Sequence, residues 1–401
     1  MTHSSDSFDP RHIRAGPPLG IAVPKTEWDR APWNRWSFQH IREILPTTDV
    51  WRGDHPVREF KRREKDLDAL KVRNIAGEAG ILLDLLEETY TDGFLVLHRG
   101  AIVYERYFGT MIPRTLHLSQ SVAKSVVGMT AGILIDRGLL DPKQKVSHYL
   151  LELGATAWNN ATLQQVLDMT TGVKFNEDYT DPHSDVAQLD VASNWKPVPS
   201  EIDPGLKWPA HVWEQILGLK QLKQPHGEQF EYRSIETDVL AFCMERVTGK
   251  RLAQIVSEEV WQKLGAEESA CFTVDPAGYS IADGGFNATL RDYGRFGQMV
   301  LADGENIVPK AWIDETRMAN HAKFTEPYTI VLPKGGYHNQ FWVEEPSSRN
   351  LLCRGVFGQL IYIDFAHEMV VVKLSSWPEF VSPKKMIATL AAVRTIAAIL
   401  A

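Results

Sequence analysis

The sequence is poor in cysteine, in positive charge and in long apolar runs, and each shortage removes a class of protein. The three cysteines, Cys243, Cys271 and Cys353, are far apart and odd in number, with no C-x-x-C pair. Neither a disulfide framework nor a structural zinc site is expected; buried reduced thiols in a cytoplasmic protein are the default. No apolar run approaches the ~18 residues that a membrane-spanning helix needs. The polar, Pro/Gly-rich N-terminus lacks a signal-peptide core, so no membrane association is expected. Acidic residues outnumber basic ones and the net charge is −8, which disfavours nucleic acid as a partner. Also missing are a G-x-S-x-G elbow, a Walker A loop, a G-x-G-x-x-G and an H-E-x-x-H. Metal, nucleotide and dinucleotide chemistry lose their usual support, so no cofactor and no metal is expected.

What is present reads as an ordinary globular enzyme. Apolar residues make up 44% and charged residues 23% of 401 residues, enough for a sizeable core in one large domain with an inserted lobe, or in two domains. Residues 1–56 read as an irregular leader packing on the domain, with Trp33 and Trp36 available to dock it. Residues 57–90 carry helix-like charge and apolar spacing. GFLVLHRGAIVYERYFG reads as a hairpin turning at Arg99-Gly100, and SQSVAKSVVGMTAGILIDRGLL as a helix stopping near Gly138. Helix candidates fill 139–275, with Gly249 and Gly265 as stops. NQFWVEE, QLIYIDF and MVVVKLSS read as strands, and the tail from Lys384 to Leu400 as a helix. This order predicts an α+β fold: a central antiparallel sheet from both chain ends (57–138 and 276–401), flanked by helices, with a mainly helical lobe at 139–275 inserted.

The candidate nucleophile is the serine of S-x-x-K at Ser121-Val122-Ala123-Lys124. The pattern recurs at Ser193-Lys196 and Ser382-Lys385, but there prolines interrupt a clean helix start. At i and i+3 on a helix the two side chains share a face, with Cβ atoms about 5–6 Å apart. Unpaired N–H groups at the helix start favour developing negative charge. Lys124 on the apolar face would be desolvated, which lowers its pKa and makes it a base. The competing reading is a capping serine and a solvated lysine. Tyr232-Arg233-Ser234, just before another helix, could aim a phenol and a hydroxyl into a cleft, or hold only a buried tyrosine. In Gly355-Val356-Phe357-Gly358-Gln359, a glycine on an edge strand would let a substrate backbone approach. The Gln359 N–H with that of Ser121 would form an oxyanion hole; the alternative is a plain bulge or turn.

Together these elements resemble the serine β-lactamase and penicillin-binding-protein superfamily, whose pattern is S-x-x-K, Tyr-x-Asn/Ser, then a K-T-G-like strand. ATLQQVLDMTTGV looks like the helix and turn that follow the nucleophile helix in the class C-like branch. NRWSFQH, TYTDGFLVL, LDMTTGVKFNEDYTDP, FEYRSIETDVLA, FGQ and VVVKLSSWP, from Asn34 to Pro378, resemble the 6-aminohexanoate-dimer (nylon-oligomer) hydrolases. The resemblance implies a β-lactamase-like fold, no cofactor and an acyl-enzyme on Ser121, with Lys124 and Tyr232 as acid/base partners. It places Tyr179 against the substrate amide nitrogen, Asp190 at the ammonium end of the oligomer, and Asp283 in the pocket, beside the Ser234 hydroxyl that the Tyr-x-Ser loop would aim there. Val356-Phe357-Gly358 stands in place of Lys-Thr-Gly, which removes a positive charge and argues against β-lactam turnover. Phe357 also stands where a histidine is expected in the nylon-oligomer hydrolases.

Three functions follow in order: hydrolysis of an amide of the 6-aminohexanoate-oligomer kind, a broad carboxylesterase on the same site, and a non-catalytic binding protein that keeps the fold. The expected partner is a small-molecule amide or ester, with a homodimer left open.

Overall fold

A computed structural model of the chain describes residues 23–199 and 207–401; the first 22 residues of the leader lie outside it. Among the described residues fourteen strands run in chain order: β1 (Thr47–Val50), β2 (Lys61–Arg62), β3 (Lys71–Arg73), β4 (Ala79–Ile81), β5 (Thr91–His98), β6 (Ala101–Tyr107) and β7 (Leu116–Leu118). After the helical lobe follow β8 (Ala270–Thr273), β9 (Phe286–Thr289), β10 (Gly336–His338), β11 (Phe341–Val343), β12 (Leu351–Gly355), β13 (Gln359–Asp364) and β14 (Met369–Ser375).

The main sheet has the order β10-β11-β12-β13-β14-β5-β6-β2. It joins the two ends of the chain at the β14–β5 pair, where Val371 faces Val96, and every pairing but the short β2–β6 edge is antiparallel. Residues 91–97 and 369–375 are buried without alternation, as expected of central strands covered on both faces. Arg99 (φ 50°) and Gly100 (φ 70°) make the two-residue turn between β5 and β6, whose paired positive φ values match the twist of a hairpin. The helix Leu290–Leu301 packs on this sheet through Gly297, where a Cβ would stand 2.6 Å from Val370.

A second sheet, β1-β8-β9-β7, positions the nucleophile. β7 pairs with β9 and runs directly into Ser119, whose N–H donates to Phe286 O at 3.0 Å. The helix Val122–Asp136 then enters the interior with apolar residues all round, the mark of a buried helix. At Gly128 a Cβ would lie 2.6 Å from Asn339 O, and at Gly132 2.2 Å from the Trp312 ring, so only glycine allows this depth. Helices from Val146 to Leu264 form the lobe between β7 and β8.

Two local expectations are corrected. Residues 57–81 form β2, β3, β4 and connecting loops, and only Leu82–Glu88 is helical. The mixed charges lie on exposed loops and strand edges, and the helical apolar spacing is realised only where Leu82, Leu85 and Leu86 are buried together. The leader is anchored by Trp28 and Phe38, both fully buried, while Trp33 and Trp36 are only partly buried. Its β1 belongs to the second sheet, paired to β8. Among the described residues no helix is long and apolar enough to cross a membrane.

Candidate active site

The approach to the helix is strained. Gln120, just before Ser121, has φ 50°, a left-handed conformation that costs a non-glycine residue roughly 1–2 kcal/mol. This turn sets Ser121 at the mouth of the helix, where its side chain makes no capping hydrogen bond. The hydroxyl instead receives a hydrogen bond from Lys124 Nζ at 3.0 Å. Lys124 is 1% exposed and spends its other donors on Ser234 Oγ, at 3.2 Å, and the Asp283 carbonyl.

Alternation along the chain brings in the next pair. Arg233 points inward, fully buried, donating to Thr171 O at 2.9 Å and pairing with Glu231 at 2.7 Å. Its neighbours Tyr232 and Ser234 therefore point the other way, toward Lys124. The Lys124 ammonium lies 5.2 Å from the Tyr232 ring centroid, and both Lys124 and Ser121 act on the Tyr232 phenol to favour its ionised form. Trp342 stacks on the far side of the Tyr232 ring at 5.5 Å, and the Tyr232 N–H donates to the Tyr328 hydroxyl at 2.8 Å.

Glu177 completes the cluster, and the sequence reading missed it. Its carboxylate accepts the Ser234 N–H at 3.0 Å, the Ser234 hydroxyl, and the Tyr179 hydroxyl at 2.7 Å. The available signal was its position two residues before Tyr179 in NEDYTDP, since residues at i and i+2 of an extended segment face the same side.

The electrostatics reverse one expectation. Burial acts to lower the Lys124 pKa, but the negative charge available on Tyr232, Asp283, Glu177 and Asp238 outweighs it, and the pKa stands above the ordinary lysine value. The resting lysine is charged, not neutral. Burial raises Tyr232 against the opposing effects of Lys124 and the Ser121 hydrogen bond. Burial likewise raises Glu177, Asp238 and Asp283. One cation shared among several reluctant acids makes a cluster that holds protons tightly.

Ser121 opens on two spaces. A small recess of about 30 Å³ is lined by Ser121, Tyr179, Asp190, Trp195, Asp283 and Val356. Asp190 there is raised to about 8, by burial first and then by Asp29. The second is a cavity of about 350 Å³, walled by Tyr232, Tyr328, Trp342, Arg354, Val356 and Phe380 among others. Tyr179 lines both spaces and stacks on Phe380 at 5.2 Å.

The glycine-containing segment enters differently from expectation. Gln359 is fully buried, pairs with Gly355 across the β12–β13 turn, and bonds through its side chain to Ser375 O at 2.6 Å. Phe357 is buried against Phe38 and Phe380. Neither lines the cavity. The residues that do are Arg354, Gly355 and Val356, because the turn at Phe357 (φ 61°) and Gly358 (φ 88°) folds the following residues away from Ser121. β12 is an interior strand of the sheet, but its β11 side is paired at Leu351 and Leu352 only, so Gly355, paired to β13, has an open edge on its other side.

A serine, lysine and tyrosine gathered at a buried helix start, between an antiparallel sheet and a helical lobe, define the class: serine hydrolases of β-lactamase architecture. The family model described as Beta-lactamase matches residues 83–394, and the chain belongs to that family. Within it, the chain is 38% identical over 363 residues to the 6-aminohexanoate-dimer hydrolase of Paenarthrobacter ureafaciens, covering 88% of each. A solved structure of a candidate 6-aminohexanoate-dimer hydrolase from Bacillus anthracis superposes with a TM-score of 0.86 at 30% identity, over 96% of this chain and 98% of that one. The octameric penicillin-binding protein homologue from Pyrococcus abyssi shares the fold at a TM-score of 0.61 and 16% identity, over 78% of this chain and 75% of its own. The protein is therefore a hydrolase related to the 6-aminohexanoate-dimer hydrolases.

Proposed function

We propose that the enzyme hydrolyses amide bonds of the 6-aminohexanoate-oligomer kind through an acyl-enzyme on Ser121. The observation that carries this reading is the 3.0 Å contact of Lys124 Nζ with an uncapped Ser121 hydroxyl inside a buried cluster. Ser121 Oγ attacks the carbonyl carbon and its proton passes to the Lys124–Tyr232 pair. Because Lys124 rests charged, the working base is the pair after it has lost one proton, and neither residue acts alone. The tetrahedral oxyanion is held by the backbone N–H groups of Ser121 and of Val356, which lines both spaces beside Ser121, in place of the Gln359 N–H. Tyr232 passes a proton to the leaving nitrogen, the C–N bond breaks, and water cleaves the resulting ester to free Ser121. Asp190 and Asp283 in the recess suit the ammonium end of such an oligomer, and Tyr179 reaches over both spaces.

Ser121→Ala is expected to abolish both fluorophosphonate labelling and the acyl adduct seen by mass spectrometry. Undiminished labelling would remove Ser121 as the nucleophile. A second reading, a broad carboxylesterase, is favoured by the apolar walls of the larger cavity, with Val331, Trp342, Trp377 and Phe380 exposed to it. Turnover of p-nitrophenyl butyrate without turnover of the linear dimer would decide for the esterase.

A further inference from the structure

Arg354 is a cation without a counter-ion. It sits near the open end of β12, lies 4.6 Å over the Trp342 ring, and lines the larger cavity. Among the described residues its guanidinium makes no ion pair, and its Nε is buried with no hydrogen-bond partner. Carboxylates elsewhere in the site are committed to other groups: Glu177 to Ser234 and Tyr179, Glu231 to Arg233 and Lys223. A guanidinium carries five donors in a planar fork that fits a carboxylate; Arg354 is partly buried, and leaving its Nε buried without an acceptor is unfavourable. Burial lowers its pKa to about 10, which still leaves it charged at neutral pH.

Its place relative to Ser121 gives this charge a use. The recess beside Ser121 carries Asp190 and Asp283; the separate cavity that also opens on Ser121 carries Arg354. We infer that Arg354 is an anion subsite, which binds a carboxylate of the substrate on the cavity side of Ser121, so that the preferred substrates are linear amides bearing a free carboxylate opposite their cationic end. This deepens the function proposed above and rests on it for the position of the reacting carbonyl. The anion subsite itself is a matter of binding alone.

The test therefore reads binding without turnover. Hexanoate and hexanamide, equal in shape and different in charge, are titrated calorimetrically into the wild-type protein and into Arg354→Met and Arg354→Lys. Wild type is expected to bind hexanoate at least ~10-fold more tightly than hexanamide. Arg354→Met should level the two, and Arg354→Lys should restore part of the difference. Hexanoate should also compete with p-nitrophenyl butyrate for the wild-type protein, which places it in the cavity. Equal binding of the two ligands by wild type overturns the inference without any variant, as does a preference for hexanoate that survives in folded Arg354→Met. Absence of Ser121 acylation would instead sink the hydrolase mechanism and leave the calorimetric result standing.

Discussion

Lys124 Nζ lies 3.8 Å from the Asp283 carboxylate and also donates to that residue's carbonyl oxygen. This double contact, from a residue between β8 and β9, adds to the influence of Tyr232 in keeping the proton on a deeply buried lysine. The pKa of Lys124 is raised against the effect of burial by Tyr232, Asp283, Glu177 and Asp238, and that of Tyr232 is raised by its own burial. The reactive form has one proton fewer than the resting form. Its population therefore grows as pH rises, and kcat/KM for a neutral p-nitrophenyl ester is expected to climb through the neutral and alkaline range without a plateau at pH 7. A neutral ester keeps the titration of Asp190 out of the measurement. A flat profile from pH 6 upward would mean a base with a lowered pKa and would contradict this account. Lys124→Met and Tyr232→Phe should each cost about 10²–10⁴ in kcat/KM and remove the ascending limb.

Asp190 gives a second pH effect of a different origin. Burial, with Asp29 nearby, raises it to about 8, so the empty recess holds a neutral acid at pH 7. An ammonium entering the recess favours the ionised form. Below pH 8 part of its binding energy is then spent on expelling the proton, and affinity should fall by up to about tenfold per pH unit. Inhibition of ester hydrolysis by n-butylammonium, followed from pH 6 to 9, should show this fall toward acid. In Asp190→Asn the dependence should vanish and the affinity should stay low. An inhibition constant independent of pH in the wild-type enzyme would place the ammonium elsewhere.

Much of this was legible in the sequence wherever chemistry is local. Ser121 stood out because S-x-x-K opens a long apolar run, and the hairpin at Arg99-Gly100 because two turn residues divide two apolar runs. The charge of Lys124 was not legible, since it depends on Tyr232, Asp283, Glu177 and Asp238, which only the fold brings together. The role of the Val356 N–H was not legible either, because the order Gly-x-x-Gly-Gln does not reveal which glycine touches the nucleophile turn. Contact does: Gly355 abuts Ser119, whereas Gly358 abuts Trp377. The anchoring by Trp28 was not legible, because tryptophans in an irregular segment carry no period. Its anchoring role rests on Trp195, which it meets edge-to-face at 5.5 Å while donating to its carbonyl at 2.7 Å.

The contact at Gly355 yields the last prediction. Its φ is −132°, open to any residue, so a substitution meets no backbone penalty and the argument is steric alone. An added Cβ would stand 2.6 Å from Ser119 O and 3.1 Å from the Cβ atoms of Gln120 and Gln359. Ser119 cannot retreat, because its N–H and its hydroxyl both bond to Phe286 O at 3.0 Å. The end of β12 must move instead, carrying the Val356 N–H away from Ser121. Gly355→Ala is therefore expected to lose about 1–3 kcal/mol of stability, as overpacked sites do. It should also lose about 10²–10³ in acylation rate through a displaced oxyanion donor. Fluorophosphonate labelling kinetics, taken at a temperature where circular dichroism shows the variant fully folded, separate the two effects. Labelling at the wild-type rate would detach this strand end from the reaction and return the oxyanion role to another donor.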